Sequence, residues 1–183
     1  MEDALWTGRV EIKGNQLWVR MAARNMVDGK MDTWCKWFKR FLEQRRTRCK
    51  GFYIIVAEVD FSKNCLTEVG ISWLLELLTE LCLTVRTIKL FANRIFDGSC
   101  IAEYLLQCKG ELREMHLSHN QLSLQQAFQI MAAVGLARED DRWCYPTSHG
   151  KPLWLRLDNN RIDYVIELIE RFCHRMNIAG RSE

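Results

Sequence analysis

The sequence predicts an α/β fold: a short, curved solenoid of about five repeats, shaped like a horseshoe arc. A parallel sheet lines its concave face and helices cover its convex face. Three observations lead there. A frame of apolar residues and asparagine recurs along the chain. Each copy alternates apolar and polar positions, as a half-buried strand does. Each copy is followed by a stretch with helical apolar spacing.

Four segments share the frame: Val56–Leu66, Val85–Ile95, Leu112–Leu122 and Pro152–Ile162. It runs apolar, two variable, apolar, one variable, apolar, two variable, Asn, one variable, apolar. The asparagines are Asn64, Asn93, Asn120 and Asn160, at intervals of 29, 27 and 40 residues. A weaker copy, Gln16–Met26, has Arg24 in the asparagine place. Terminal repeats are often atypical, because one side faces solvent. Alternation at Val59 and Phe61, or at Met115 and Leu117, predicts a short strand with one face buried. Past the strand the chain bends, and buried backbone there needs partners. Asparagine carries a donor and an acceptor on one short side chain. A column of the four is therefore expected to serve the backbone from repeat to repeat, a structural duty and not a catalytic one.

The helices follow in order. Met31, Trp34, Phe38 and Phe41 share one stripe, then Ile71, Leu74, Leu75, Leu78 and Cys82. Ile101, Leu105 and Cys108 make the next, then Leu124, Ala127, Phe128 and Met131, and last Val165, Leu168, Ile169 and Phe172. Such spacing places each set on one helical face. Gly70 and Gly98 are expected in the turns that lead into helices. The last interval leaves about 12 residues beyond a standard repeat. They form an insert, Ala137 to Lys151, that contains Pro146, precedes Pro152 and reads as a surface loop.

The frame resembles the leucine-rich repeat family, in its ribonuclease-inhibitor-like class of about 28 residues per repeat, from Gln16 to about Phe172. Pro152-Leu153-Trp154-Leu155-Arg156-Leu157 after a polar insert is also similar to the short leucine-rich-repeat proteins of dinoflagellates and their relatives. On this reading residues 1–183 are a single domain. Residues 16–50 are a degenerate N-terminal capping repeat, 137–151 a surface insert, and 152–183 the C-terminal repeat and cap. The resemblance implies a non-enzymatic protein–protein interaction module, an adaptor or a subunit of a larger assembly. It would bind through the inner sheet face and the insert.

Variable positions between the apolar strand residues point to that face. Four places before the asparagine position the row reads Arg20, Asp60, Lys89, His116, Arg156. Six places before, it reads Trp18, Glu58, Thr87, Glu114, Trp154; two places before, Ala22, Ser62, Phe91, Ser118, Asp158. Rigid rings on a sheet face make good anchors. Trp18 and Trp154 either serve so or pack on neighbouring side chains or on the insert. Trp34 is expected in the core and Trp37, among basic residues, partly exposed. Trp143 is the insert's contact candidate. The expected partner-binding set is Trp18, Arg20, Lys89, Phe91, His116, Trp143, Trp154 and Arg156.

Charge supports an alternative. Residues 1–50 hold twelve Lys and Arg against six Asp and Glu; the remainder holds fourteen against seventeen. Lys36, Lys39, Arg40, Arg45, Arg46, Arg48 and Lys50 cluster against one acid, Glu43. With Trp37 and Phe38 interleaved, this run suits RNA, as in a ribonucleoprotein subunit, with affinity that falls with salt. The acidic balance of the remainder argues against nucleic acid over the whole surface.

No chemistry-bearing motif stands out. Gly-rich phosphate loops, GxSxG, HExxH and CxxC are absent from the sequence. His116 and His119 bracket Leu117 and Ser118 and are expected at the sheet face or its edge; Cys144 and His149 would need two further ligands to hold zinc. No catalytic residue, metal, cofactor or small-molecule substrate is expected. Eight cysteines come without a basic, apolar leader, and among them Cys65, Cys82, Cys100 and Cys108 fall at apolar positions of the repeat and read as small reduced core residues. The longest apolar run, Ile71 to Val85, is broken by Glu76 and Glu80. The expectation is an intracellular protein, cytoplasmic or nuclear, with no membrane partner.

Overall fold

Copies of the frame become short strands and the apolar stripes become helices in the computed structural model, which describes residues 6–48, 54–108, 111–139, 142–147 and 149–179. In chain order the elements are β1 (Val10–Lys13), β2 (Gln16–Arg20), α1 (Asp28–Arg48), β3 (Ile55–Asp60), α2 (Glu68–Glu80), β4 (Thr84–Val85), β5 (Thr87–Lys89), α3 (Ser99–Gln107), β6 (Glu114–His116), α4 (Leu124–Leu136), β7 (Arg138–Glu139), β8 (Arg142–Trp143), β9 (Trp154–Arg156) and α5 (Val165–Ile178). The architecture is mixed α/β with a mostly parallel sheet. The sheet runs β1-β2-β3-β5-β6-β9, with β4 also on β3; only β1 is antiparallel, joined to β2 as a hairpin. Helices pack in the same order, each on the next.

Alternation decides which side of each strand is buried. Leu17 and Val19, Val59 and Phe61, Ile88 and Leu90, and Met115 and Leu117 are fully buried. They meet Met31, Trp34, Phe38, Ile71, Leu74, Ile101, Leu105 and Ile130 from the helices, all equally buried. Each such side chain contributes about 1.5–3 kcal/mol by leaving water.

The asparagines form the expected column. Asn93 donates from Nδ2 to the Phe61 and Leu90 carbonyls and accepts at Oδ1 from the Leu66 N–H. Asn120 repeats this one strand on, donating to the Leu90 and Leu117 carbonyls and accepting from the N–H groups of Asn93 and Ile95. Asn64 serves Met21, Phe61, Arg24 and Met26. Asn160 serves Leu117, Leu157 and Leu122. Every asparagine thus ties its own turn to the preceding one. The residue just before the asparagine position is left-handed each time: Ala23, Lys63, Ala92, His119 and Asn159, at φ between 53° and 56°. That geometry turns the chain out of the strand, and none of the five is glycine.

Helix starts are tied across units as well. Thr67 caps α2, its side chain accepting from the Val69 N–H. Asp28, at the start of α1, accepts from the N–H groups of Thr67 and Gly70 and from the Thr67 hydroxyl. A carboxylate there also opposes the positive end of the α2 dipole. Ser123 caps α4, and Gln126 Oε1 accepts from the Gly98 N–H at the start of α3.

Several expectations need correction. Trp37 is buried, 5% exposed, because Trp6, Trp34 and Phe41 close round it at ring separations of 5.7, 6.3 and 5.2 Å. Cys82 keeps the stripe spacing but falls past Leu81, where α2 ends; it is left-handed and exposed. Gly70 lies inside α2 rather than before it. Val165 and Ile169 are 57% and 51% exposed, since α5 has α4 on one flank and no helix on the other among the described residues. The insert is not purely a surface loop. Its β7–β8 hairpin presents Cys144 and Tyr145 inward, and the Tyr145 hydroxyl donates to the Leu112 carbonyl at 2.8 Å. Finally, Ser62 and Ser118 are buried rather than displayed.

Candidate functional site

The sheet face away from the helices brings the two variable rows into register. Arg20, Asp60, Lys89, His116 and Arg156 stand opposite one another from strand to strand. Trp18 stands opposite Glu58, and Thr87, Glu114 and Trp154 follow in line. Parallel strands with a matched starting point put equal sequence positions side by side, so one polar stripe crosses the sheet.

Much of that stripe is paired internally. Lys89 forms a half-buried ion pair with Glu58 across β3 and β5. Arg20 reaches Glu11 of β1 at 2.9 Å, and Lys13 binds the same carboxylate. Lys13 holds the Glu11 carboxyl below the usual range, with Arg20 adding to the effect. Trp18 is half-buried in register with Glu11 of β1. Phe91 is half-buried, with Lys63 Nζ 5.9 Å from its ring centre.

The β6–β9 end is different. Trp154 is 57% exposed, and its ring meets the His116 ring edge-on at 5.7 Å and 66°. His116 Nε2 lies 3.3 Å from Glu114, and Arg156 Nε lies 3.4 Å from Asp158. This end therefore offers an exposed ring held in place by an imidazole, flanked by a guanidinium. In the insert, the Arg138 guanidinium lies 3.8 Å from the Trp143 ring centre, so Trp143 is half-buried beneath it.

The basic run sits on α1, on the helix side of the sheet. Lys36 pairs with Asp32 at 2.7 Å, and Lys39 pairs with Glu80 of α2, which raises the Lys39 pKa. Arg46 donates to the Leu81 carbonyl at 2.8 Å, and the Arg45 guanidinium lies 4.5 Å from the Phe41 ring. Arg40 is exposed. Lys50 and the Arg48 side chain lie outside the described residues. Most of the described cations here bind the protein itself, α1 to α2 in particular.

Among the described residues no three His, Cys, Asp or Glu side chains gather as a metal site would require, and no helix is long and apolar enough to cross a membrane. Sequence reasoning missed two features beside this surface. One is β1, signalled by the alternation Val10-Glu11-Ile12-Lys13 and the Gly14-Asn15 turn. The other is an apolar cavity of about 760 Å³ between the insert and the helices, lined by Val134, Tyr145, Leu153, Phe172 and Met176; no local pattern announces it. Compared with known protein families and with curated proteins, the chain matches none.

Proposed function

We propose that this chain is a short leucine-rich-repeat solenoid of the ribonuclease-inhibitor-like class. It works without catalysis, as a protein-interaction module in an adaptor or a multi-subunit assembly. The inner sheet face is the binding surface, with Trp154, His116 and Arg156 at its centre of affinity and Trp143 of the insert at its rim. The observation that supports this most is the exposed Trp154 ring set against His116 in a stripe that crosses the whole sheet. A tryptophan so placed brings large contact area at small entropy cost, and tryptophan and arginine dominate interface hot spots. The internally paired Lys89 and Arg20 serve as a pre-set polar surround.

The test is affinity capture on the full chain, with and without nuclease, followed by titration of the captured protein. Trp154→Ala or Arg156→Ala should weaken binding by about 2 kcal/mol, a factor of about 30 in Kd, with circular dichroism unchanged. Arg40→Glu with Arg45→Glu should leave it intact. If instead the α1 pair abolishes capture, and nuclease does too, the working surface is the basic run and the ligand is RNA.

A further inference from the structure

The strand ladder has a direction. The N–H groups three places and one place before each asparagine position donate to carbonyls of the next strand: Met21 and Ala23 to Asp60 and Ser62, Phe61 and Lys63 to Lys89 and Phe91, Leu90 and Ala92 to His116 and Ser118, Leu117 and His119 to Arg156 and Asp158. Just past β9 the same positions are Leu157 and Asn159, and no further strand lies beside β9 among the described residues. An edge with unmet donors is a template for another strand. The side chains match. Leu155 and Leu157 occupy the positions of Met115 and Leu117, which are fully buried, yet both are only half-buried. In the same unit, Tyr164 just before α5 and Val165, Ile166 and Ile169 within it are 78%, 57%, 74% and 51% exposed.

At the other end of the sheet, β1 is also an edge strand. There β1 is turned antiparallel by its hairpin and carries Glu11 in ion pairs with Lys13 and Arg20. Charge on an edge strand discourages further pairing. A head-to-tail chain of copies would need that end, so it is disfavoured. A two-fold pair needs only the open end, used twice.

We propose that two copies of this chain associate through this end, β9 antiparallel to β9 of the second copy and the α5 flanks packed together. Antiparallel pairing lets each strand give its outward N–H and carbonyl groups to the same groups of its twin. Tyr164 and the three exposed residues of α5 together leave on the order of 500 Å² of mostly apolar surface open. A standard interface buries about 800 Å² per partner, about 60% of it non-polar, so the patch is the size a stable dimer needs. It is also at the upper end of what a monomer leaves open to water. This proposal is independent of what the sheet face binds. It would join two faces edge to edge.

The test is sedimentation of the full chain over a concentration series, with hydrogen exchange at low and high concentration. Wild type should pass from 21.6 kDa to twice that mass, and the Leu155 and Leu157 amides should become protected only in the dimer. Ile166→Glu with Ile169→Glu replaces residues already in water, so it should leave circular dichroism unchanged and weaken association at least about 100-fold. Arg40→Glu, exposed on α1 at the other end of the helix row, should not change the mass. A monomer at every concentration up to about 100 μM overturns the proposal and leaves the edge to a different chain; so does a dimer that survives the isoleucine changes, or one whose β9 amides stay unprotected.

Discussion

Replacing Asn93 with alanine removes three buried hydrogen bonds, and their losses are unequal. The Phe61 carbonyl keeps the Asn64 amide and the Leu90 carbonyl keeps the Asn120 amide. The Leu66 N–H has Asn93 Oδ1 as its acceptor and is left without it. One orphaned buried donor costs about 1–3 kcal/mol, and each carbonyl bond about 0.5–1.5. The total is about 4 kcal/mol, within a span of about 2–6, a large part of the 5–15 kcal/mol that holds a typical domain. Arg94 is exposed, so Arg94→Ala should stay within about 0.5 kcal/mol. Asn160→Ala should fall between, since Asn160 is partly open to water, which can take over its bonds. Urea unfolding followed by circular dichroism measures all three. Equal midpoints for the Asn93 and Arg94 variants, at unchanged slope, would refute the ladder as a source of stability.

Other outcomes follow from local geometry. At Gly70 an added Cβ would sit 2.4 Å from Asp28 Oδ1, whereas at Gly29 nothing lies within 4 Å; Gly70→Ala should therefore cost about 1–3 kcal/mol and Gly29→Ala stabilise by up to about 1, read as melting temperatures. Ala23 is exposed and left-handed at φ 53°. Ala23→Gly relieves that strain and should stabilise by up to about 1 kcal/mol despite the added chain entropy; a loss would mean the turn tolerates alanine without strain. Burial pushes the thiols of Cys35 and Cys108 up to about 12 and that of Cys100 up to about 11. Unfolded thiols ionise near 8.5, so above that pH the unfolded chain sheds protons the native one keeps, and stability falls as pH rises. The urea midpoint should hold below about pH 8.5 and decline above it, less steeply in Cys35→Ala. Exposed Cys82 should be alkylated before buried Cys35 at pH 8, and equal labelling of the two would contradict the burial of Cys35.

The strands were legible because two independent signals coincide. Alternation sets the face, and the asparagine position sets the offset between neighbours; together they place Arg20, Asp60, Lys89, His116 and Arg156 in one row. Spacing alone failed where a property depends on a remote neighbour. Trp37 follows its basic neighbours in sequence, yet Trp6 covers it from outside the frame. Val165 and Ile169 lie on the same kind of stripe as Ile71 and Leu74, but no helix covers their flank among the described residues. Cys82 shows that periodicity does not reveal where a helix stops. In the site, the rows could be read from sequence, but not which charges are already neutralised. Glu58 with Lys89 joins two different rows diagonally across β3 and β5, and Lys39 with Glu80 depends on how α1 meets α2.

The asparagine ladder reaches only backward, and this bears on how the chain is made. As synthesis proceeds, Asn93 must emerge before the Leu66 amide gains its acceptor, and Asn120 before the amides of Asn93 and Ile95 do. Each segment leaving the ribosome stays provisional until its successor arrives, so maturation trails translation by about one segment along the whole chain.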